Sequence, residues 1–325
     1  MDDEIVIGLE VHVQLATASK LFCSCPNVFS LDPNTQVCPV CLGQPGVLPV
    51  LNEEAFRLAL RAALALGCEI PPVTKFDRKH YYYPDLPKNF QISQYDMPLS
   101  RNGALAIDVD GTEKRISILR AHLEEDAGKL LHDDAGSAVD LNRTGTPLLE
   151  IVSGPDLRSP TEARAYLEQL KLTLQYVAVS DCNMEEGSLR CDANISIRPA
   201  GATQLGVKNE IKNMNSFKGT ESALGLVAEE LRRAKAAGET IRQTTWGYSV
   251  ERDAVFPMRI KEEANDYRYF PEPDLPPVQV GREWVEEVRH QLPELPRARQ
   301  QRLQERFGLS PRSEERRVGK ECATG

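Results

Sequence analysis

At 325 residues, 41% of them hydrophobic, the chain can bury a substantial core in one large domain or two ordinary ones. No apolar run approaches the length of a membrane span, and the acidic opening MDDEIVIGLEV enters a strand pattern at once, so it reads as neither signal nor transit peptide and a cytoplasmic protein without membrane contact is expected. A net charge of −9 excludes strong non-specific nucleic-acid binding over the whole surface, because phosphate neutralisation supplies most of that affinity.

Residues 5–15 alternate strictly: Ile5, Ile7, Leu9, Val11, Val13 and Leu15 on one side, Glu10, His12 and Gln14 on the other. Cys23, Cys25, Cys38 and Cys41 follow in the pattern C-x-C-x12-C-x2-C. Without a secretory signal, eight cysteines favour metal or free thiols over disulfides. Four thiolates at this spacing can close a tetrahedral structural site around Zn²⁺; the alternative is a loop of free cysteines.

Residues 52–66 predict a helix, capped by Asn52 and stopped by Gly67 and Pro71–Pro72. Residues 75–96 read as a loop rich in Lys and Tyr, either a basic, aromatic lip over a phosphate or acceptor end or a packed surface loop. Residues 116–124 alternate more loosely, with Leu119, Ala121 and Leu123 against Arg120, His122 and Glu124. Glu150 lies inside the short apolar strand 148–152. Ser159, Pro160 and Glu162 open a helix that runs to about Tyr176.

The turn at 181–187 carries Asp181, Glu185 and Glu186. From Leu189 to Arg198 the period is again two: Leu189, Cys191, Ala193, Ile195 and Ile197 oppose Arg190, Asp192, Asn194, Ser196 and Arg198. Residues 207–213 set Lys208, Glu210 and Lys212 opposite Val207 and Ile211. A helix over 219–237 precedes an irregular proline-rich stretch at 266–277. From Glu283 the pattern turns helical with proline breaks, and residues from Ser313 onward read as disordered or foreign to the native chain.

Strands with helices between them predict an α+β fold around a largely antiparallel sheet. If the five strands above share one sheet, one face is a core and the other an acidic floor. Crowded carboxylates repel unless a proton or a hard cation neutralises them, which argues for Mg²⁺ and, through it, a nucleoside triphosphate. P-loop, dinucleotide and nucleophile-elbow signatures do not occur.

The segments IGLEVHVQL, the four cysteines, HLEEDAGK, VDLNRTGTPLLEIVS, SDCNMEEGSLRCDANIS, EIKNMNSFK and DYRYFPEPDLP, in that order over residues 4–277, resemble the B subunits of aspartyl/glutamyl-tRNA amidotransferases. The resemblance implies a catalytic cradle similar to glutamine synthetase over residues 1–290, with a zinc-binding insert at about 20–45. It implies the start of a C-terminal helical domain over 291–312, ahead of the tail at 313–325. The implied enzyme is a carbon–nitrogen ligase with glutamine as amido donor. It uses ATP to phosphorylate the side-chain carboxylate of Glu-tRNA(Gln) or Asp-tRNA(Asn), then aminates it with ammonia channelled from a glutaminase partner. The implied assembly is a heterotrimer with an amidase A subunit and a small C subunit, acting on mischarged tRNA.

Carried over by motif, Glu10, His12, Glu125 and Glu150 form the Mg²⁺ and catalytic centre, Lys79 and Lys88 are channel residues, and Cys23, Cys25, Cys38 and Cys41 hold Zn²⁺. Alternation favours Glu124 for the polar face, where the family pattern favours Glu125. Glu124, Glu185, Arg190, Asp192, Glu210 and Lys212 are the candidates to hold ATP. The sequence departs from the family at 243–246, where QTTW replaces an acidic-Thr-Arg segment. Two other readings are a zinc-stabilised RNA-binding module and a non-catalytic scaffold protein. The first leaves the acidic strand faces unexplained; the second requires a decayed site.

Overall fold

A computed structural model describes residues 3–29, 32–133, 136–260 and 267–308. The elements in order are β1 (Asp3–Gln14), α1 (Glu53–Ala65), β2 (Val73–Thr74), β3 (Asp77–His80), β4 (Phe90–Ser93), β5 (Ser100–Val109) and β6 (Thr112–Glu125). Then come β7 (Lys129–Asp133), β8 (Gly136–Asp140), β9 (Pro147–Ser153), α2 (Pro160–Tyr176), β10 (Leu189–Pro199), β11 (Asn209–Met214) and α3 (Phe217–Ala236). The chain continues through β12 (Thr244–Ser249), β13 (Ala254–Ile260), β14 (Phe270–Pro271), β15 (Val278–Gln279), α4 (Arg282–His290) and α5 (Pro296–Phe307).

One eight-stranded sheet organises these elements, in the order β13-β12-β11-β10-β1-β9-β6-β5. All its pairs are antiparallel except β11–β12. The five strands read from the sequence are neighbours in it: β11, β10, β1, β9 and β6. Period two then does what it must: Ile7, Leu9, Val11 and Val13 of β1 and Leu189, Ala193 and Ile195 of β10 are buried on one face.

Helices cover that face. In α2, Ala163, Tyr166, Leu167, Leu170 and Leu174 form a buried stripe at helical spacing, and the helix packs on β5 and α3. The stripe of α3 is Ala223, Leu224, Val227, Ala228 and Leu231, set against β10 and β11. The starts of α1, α2 and α3 are each fixed by a side chain that satisfies an orphan N–H. Asn52 accepts from Glu54 and Ala55 at 3.0 and 3.2 Å, Ser159 from Glu162 at 3.1 Å and Ser216 from Gly219 at 3.0 Å. Helix α4 packs on α1, with Trp284 stacked on Phe56 at 5.1 Å.

Two expectations change. The stretch 75–96 is not a plain loop: it contains β3 and β4, and β14 from the proline-rich stretch pairs with β3 to make a three-stranded sheet. Leu119 is half-exposed rather than inward-facing, because the pairing of β6 with β9 slips between Ile118 and Arg120. A bulge inserts one unpaired residue and shifts the phase, so Ile116 and Ile118 are buried before it and Ala121 and Leu123 after it. The expected tail from Ser313 lies outside the described residues. No helix among the described residues is long and apolar enough to cross a membrane.

Candidate functional site

The sheet's helix-free face carries the polar residues. Pairing register sets His12 on β1 opposite Glu150 on β9 and Arg190 on β10, and Glu150 opposite His122 on β6. A row therefore crosses four strands: His122, Glu150, His12, Arg190. Glu124 follows His122 by two residues and shares its face. His12 Nε2 lies 3.4 Å from Glu150 and 3.5 Å from Glu124, and His122 Nε2 lies 3.5 and 3.7 Å from the same two carboxylates.

Low dielectric makes these pairings strong. Burial opposes the charged form of His12, but the hydrogen bond and charge of Glu150 and the charge of Glu124 outweigh it and push its pKa up to about 9. Burial would raise the Glu150 carboxyl; the charge of His122 and the hydrogen bond and charge of His12 instead hold it well below the usual carboxylate range. Glu124 is likewise held low against burial by His122, with help from Lys79 and His12. Lys79, whose Nζ stands 4.9 Å from the Tyr267 ring centre, has its pKa raised against burial by Glu124 and Glu150 among its neighbours. Two buried carboxylates are thus kept anionic, with the imidazolium of His12 and the ammonium of Lys79 beside them.

A ligand atom from each of His12, Glu124 and Glu150 lies within 4.8 Å of the other two. Two carboxylate oxygens fit the demands of Mg²⁺, which takes one or two carboxylates and fills its octahedron with water and phosphate oxygens. The imidazole is the softer donor of the three. His122 Nδ1 is buried without a hydrogen-bond partner, a polar atom left over beside the group.

The other candidates are placed around this group rather than in it. Glu10 accepts from Asn194 Nδ2 at 2.8 Å and lies 3.8 Å from Lys208. Asp192 accepts from Lys212 at 2.9 Å, and Lys212 is 3.3 Å from Glu210, which also takes a hydrogen bond from Thr245 Oγ1 at 3.3 Å. Arg190 donates to Asp126 at 2.7 Å. Glu125 points away from Glu124, as consecutive strand residues do; its carboxylate accepts the Ile92 N–H at 2.9 Å and pairs with Lys88. Glu185 sits in the exposed turn after Asn183, its N–H donating to Asn183 Oδ1 at 3.0 Å. Asp126, which gathers Arg190, Arg143 and Gln14, was not singled out from the sequence, although three acids in succession at 124–126 were the available signal.

The four cysteines converge as a second cluster, their sulfurs mutually within 4.8 Å. A tetrahedron with Zn–S bonds of about 2.3 Å has edges of about 3.8 Å, and Cys38 and Cys41 Sγ are 3.9 Å apart. The Cys38 N–H donates to Cys41 Sγ at 3.2 Å, the backbone-to-sulfur contact of a metal knuckle. A hydrogen bond from Cys23, with Lys20 nearby, holds the Cys41 thiol down to about 5, while burial and neighbouring sulfurs push Cys25 up to about 11. As bare thiols, one ionises at the expense of its neighbours; a divalent cation is what would let all four do so.

A model of the family described as "GatB/GatE catalytic domain" matches residues 5–286. The chain belongs to that family. Among curated relatives, the B subunit of the aspartyl/glutamyl-tRNA(Asn/Gln) amidotransferase from Carboxydothermus hydrogenoformans is 59% identical over 95% of this chain and 65% of its own length. Those of the same name from Moorella thermoacetica and Brevibacillus brevis are 58% and 57% identical, over 95% and 94% of this chain and 66% and 65% of theirs. The chain therefore spans just under two thirds of the length of these relatives.

Proposed function

We propose that this chain activates and amidates the side-chain carboxylate of Glu-tRNA(Gln) or Asp-tRNA(Asn) in the cytoplasm, within a heterotrimer that it forms with an amidase A subunit and a small C subunit. The observation that carries the proposal is the convergence of His12, Glu124 and Glu150 on the open face of the sheet in a GatB/GatE-family chain. The reaction has two steps. A carboxylate oxygen attacks the γ-phosphorus of ATP and ADP leaves; ammonia then attacks the acyl carbon and phosphate leaves. Glutamine hydrolysed on the A subunit supplies the ammonia.

His12, Glu124 and Glu150 would hold Mg²⁺, which when bound supplies charge neutralisation at the β- and γ-phosphates. Arg190 and Lys212, on the same face, would bind phosphate oxygens, with Asp126 and Asp192 fixing their direction. Asn194 and Lys208 orient Glu10 toward the same floor. Lys79 of β3 and Tyr267, which precedes β14, would help to exclude water and so protect a hydrolysis-prone acyl phosphate. Lys79 and Lys88 would line the ammonia route, and the four thiols would hold a structural Zn²⁺. Residues 1–290 would form the glutamine-synthetase-like cradle, with 291–312 opening a helical domain.

The test is assembly with A and C subunits and an amidation assay with mischarged tRNA. Glu150→Gln abolishes ATP-dependent carboxylate phosphorylation while glutamine hydrolysis by the partner persists. Normal phosphorylation by Glu150→Gln would show the centre to be elsewhere. A scaffold protein would show no ATP turnover in either form.

A further inference from the structure

The thiol insert does more than fold itself. Beyond Cys41 its turn is closed by Leu42 N–H to Cys38 O at 3.1 Å, Gly43 N–H to Val40 O at 3.0 Å and Gln44 N–H to Pro39 O at 3.0 Å. Gly43, at φ +65°, is where this turn meets Lys88. A Cβ on Gly43 would stand 2.2 Å from Lys88 Cγ and 3.2 Å from its Cβ and Cδ. The lysine stem therefore crosses the bare glycine backbone with no room for a methyl group. Its ammonium, on a side chain only 10% exposed, pairs with Glu125, which is itself pinned by the Ile92 N–H.

The insert holds the neighbouring residue as well. Lys20, fully buried, donates to Gln36 O at 2.7 Å and lies 3.8 Å from Cys41 Sγ. Gly145 packs on Cys41 and Lys20, accepts the Leu21 N–H at 2.8 Å and donates to Asp126 O at 2.9 Å. Residues 125 and 126, one step along from Glu124, are thus gripped from the insert at two points.

We propose that Gly43 is a positioning residue through which the four-cysteine turn seats the Lys88 stem and keeps its ammonium on Glu125. The insert is then coupled to the end of β6 rather than being a remote staple. The inference rests on the zinc reading for its metal arm only. The alternative role for Gly43, a turn residue needed for its positive φ alone, predicts destabilisation of the insert with Lys88 left in place.

Gly46 separates the two. It lies in the same insert at φ +88°, and a Cβ there meets nothing within 4 Å. Alanine at Gly46 introduces the backbone strain without the collision; alanine at Gly43 introduces both. The readout is the rate at which each lysine of the folded full chain is acetylated by acetic anhydride, resolved by mass spectrometry, with Lys114 and Lys235 as references. In Gly43→Ala, Lys88 labelling rises about ten- to a hundred-fold, the factor set by losing one charge-assisted hydrogen bond, and the reference lysines are unchanged. Gly46→Ala leaves Lys88 at the wild-type rate. Stripping the thiol site with a chelator raises Lys88 labelling as Gly43→Ala does.

A folded Gly43→Ala protein with wild-type Lys88 labelling overturns the proposal, as does an equal rise in Gly46→Ala. If Gly43→Ala does not fold, linkage supplies the reverse measurement: Lys88→Ala speeds zinc release to a chromogenic chelator, and an unchanged release rate overturns the coupling. Should elemental analysis find no metal at the thiols, the zinc reading falls, while the Gly43 and Gly46 arms still decide this one.

Discussion

Replacing Glu150 by Gln keeps the shape of the His12–Glu150 contact and removes its charge, with a consequence readable in stability against pH. His12 has an ordinary pKa of about 6.5 in an unfolded chain, and Glu150 and Glu124 raise it to about 9 in the fold against the opposing effect of burial. The imidazole is only 21% exposed, so solvent screening removes little of this. The gap of about 2.5 pH units, at about 1.4 kcal/mol each, is about 3 kcal/mol. Because the folded pKa is the higher one, that stability is fully present below about pH 6.5 and is lost as pH rises through about 9. The depressed Glu150 carboxyl reports the same contact from the acid side, present above the usual carboxylate range and lost as pH falls, and is not counted twice. In Glu150→Gln burial leads and Glu124 alone opposes it, so His12 returns to about its ordinary pKa or below. Urea unfolding in magnesium-free buffer at steps from pH 6 to 9.5 gives the test. The wild-type stability falls about 3 kcal/mol more than that of the variant across the window. Parallel curves, or a metal-free wild type whose His12 titrates near 6.5 by NMR, would refute the reasoning.

Purified protein carries one Zn²⁺ per chain by elemental analysis, and Cys38→Ser loses it and lowers Tm; four freely titrating thiols and no zinc would remove that site. Arg78 donates to the buried Glu272 at 2.8 and 2.9 Å, so Arg78→Ala strands a carboxylate and costs about 3–5 kcal/mol in chemical denaturation; a cost below about 1 kcal/mol would mean that the pair is solvated. Glu124→Gln abolishes Mg²⁺-dependent ATP binding by calorimetry, whereas Glu125→Gln largely spares it and frees Lys88; equal losses would merge the two roles. This chain binds tRNA weakly at physiological salt because of its nine excess negative charges, and tight binding with a steep salt slope would instead make the basic residues of 75–88 a phosphate surface.

Where burial drives a strand, the sequence is readable. β1 and β10 keep period two over most of their length because one face packs under helices, Val6 and Ser196 being the buried exceptions, and the period placed Glu10, His12, Arg190 and Asp192 on the other face. Where burial does not drive a strand, the period is silent. β3 reads Asp-Arg-Lys-His, with no apolar alternation, and is held by pairs distant in sequence: Arg78 with Glu272 and, through β14, Phe270 stacked on His80 at 5.0 Å. The edge strand β13 and its inner neighbour β12 were also invisible. Gly247 interrupts β12, and Phe256 and Met258 of β13 stay about half-exposed.

The choice between Glu124 and Glu125 shows which signal carries geometric information. Both residues are buried glutamates, and the family pattern favoured Glu125 where alternation favoured Glu124. A strand cannot use them alike, since consecutive side chains leave by opposite faces. The only physical cue in the sequence was the phase of Ala121 and Leu123, which puts His122 and Glu124 on the far side. The bulge at Leu119 breaks that phase upstream but not between 121 and 124, so the cue survived. The structure then gives the two glutamates different partners: His12 and His122, shared with Glu150, face Glu124, and Lys88 faces Glu125. One carboxylate joins the His12–Glu150 group proposed to hold Mg²⁺, and the other pairs with the lysine whose stem crosses Gly43 of the thiol insert. Exchanging their roles would require β6 to slip by one residue, which would also turn Ala121 and Leu123 out of the core.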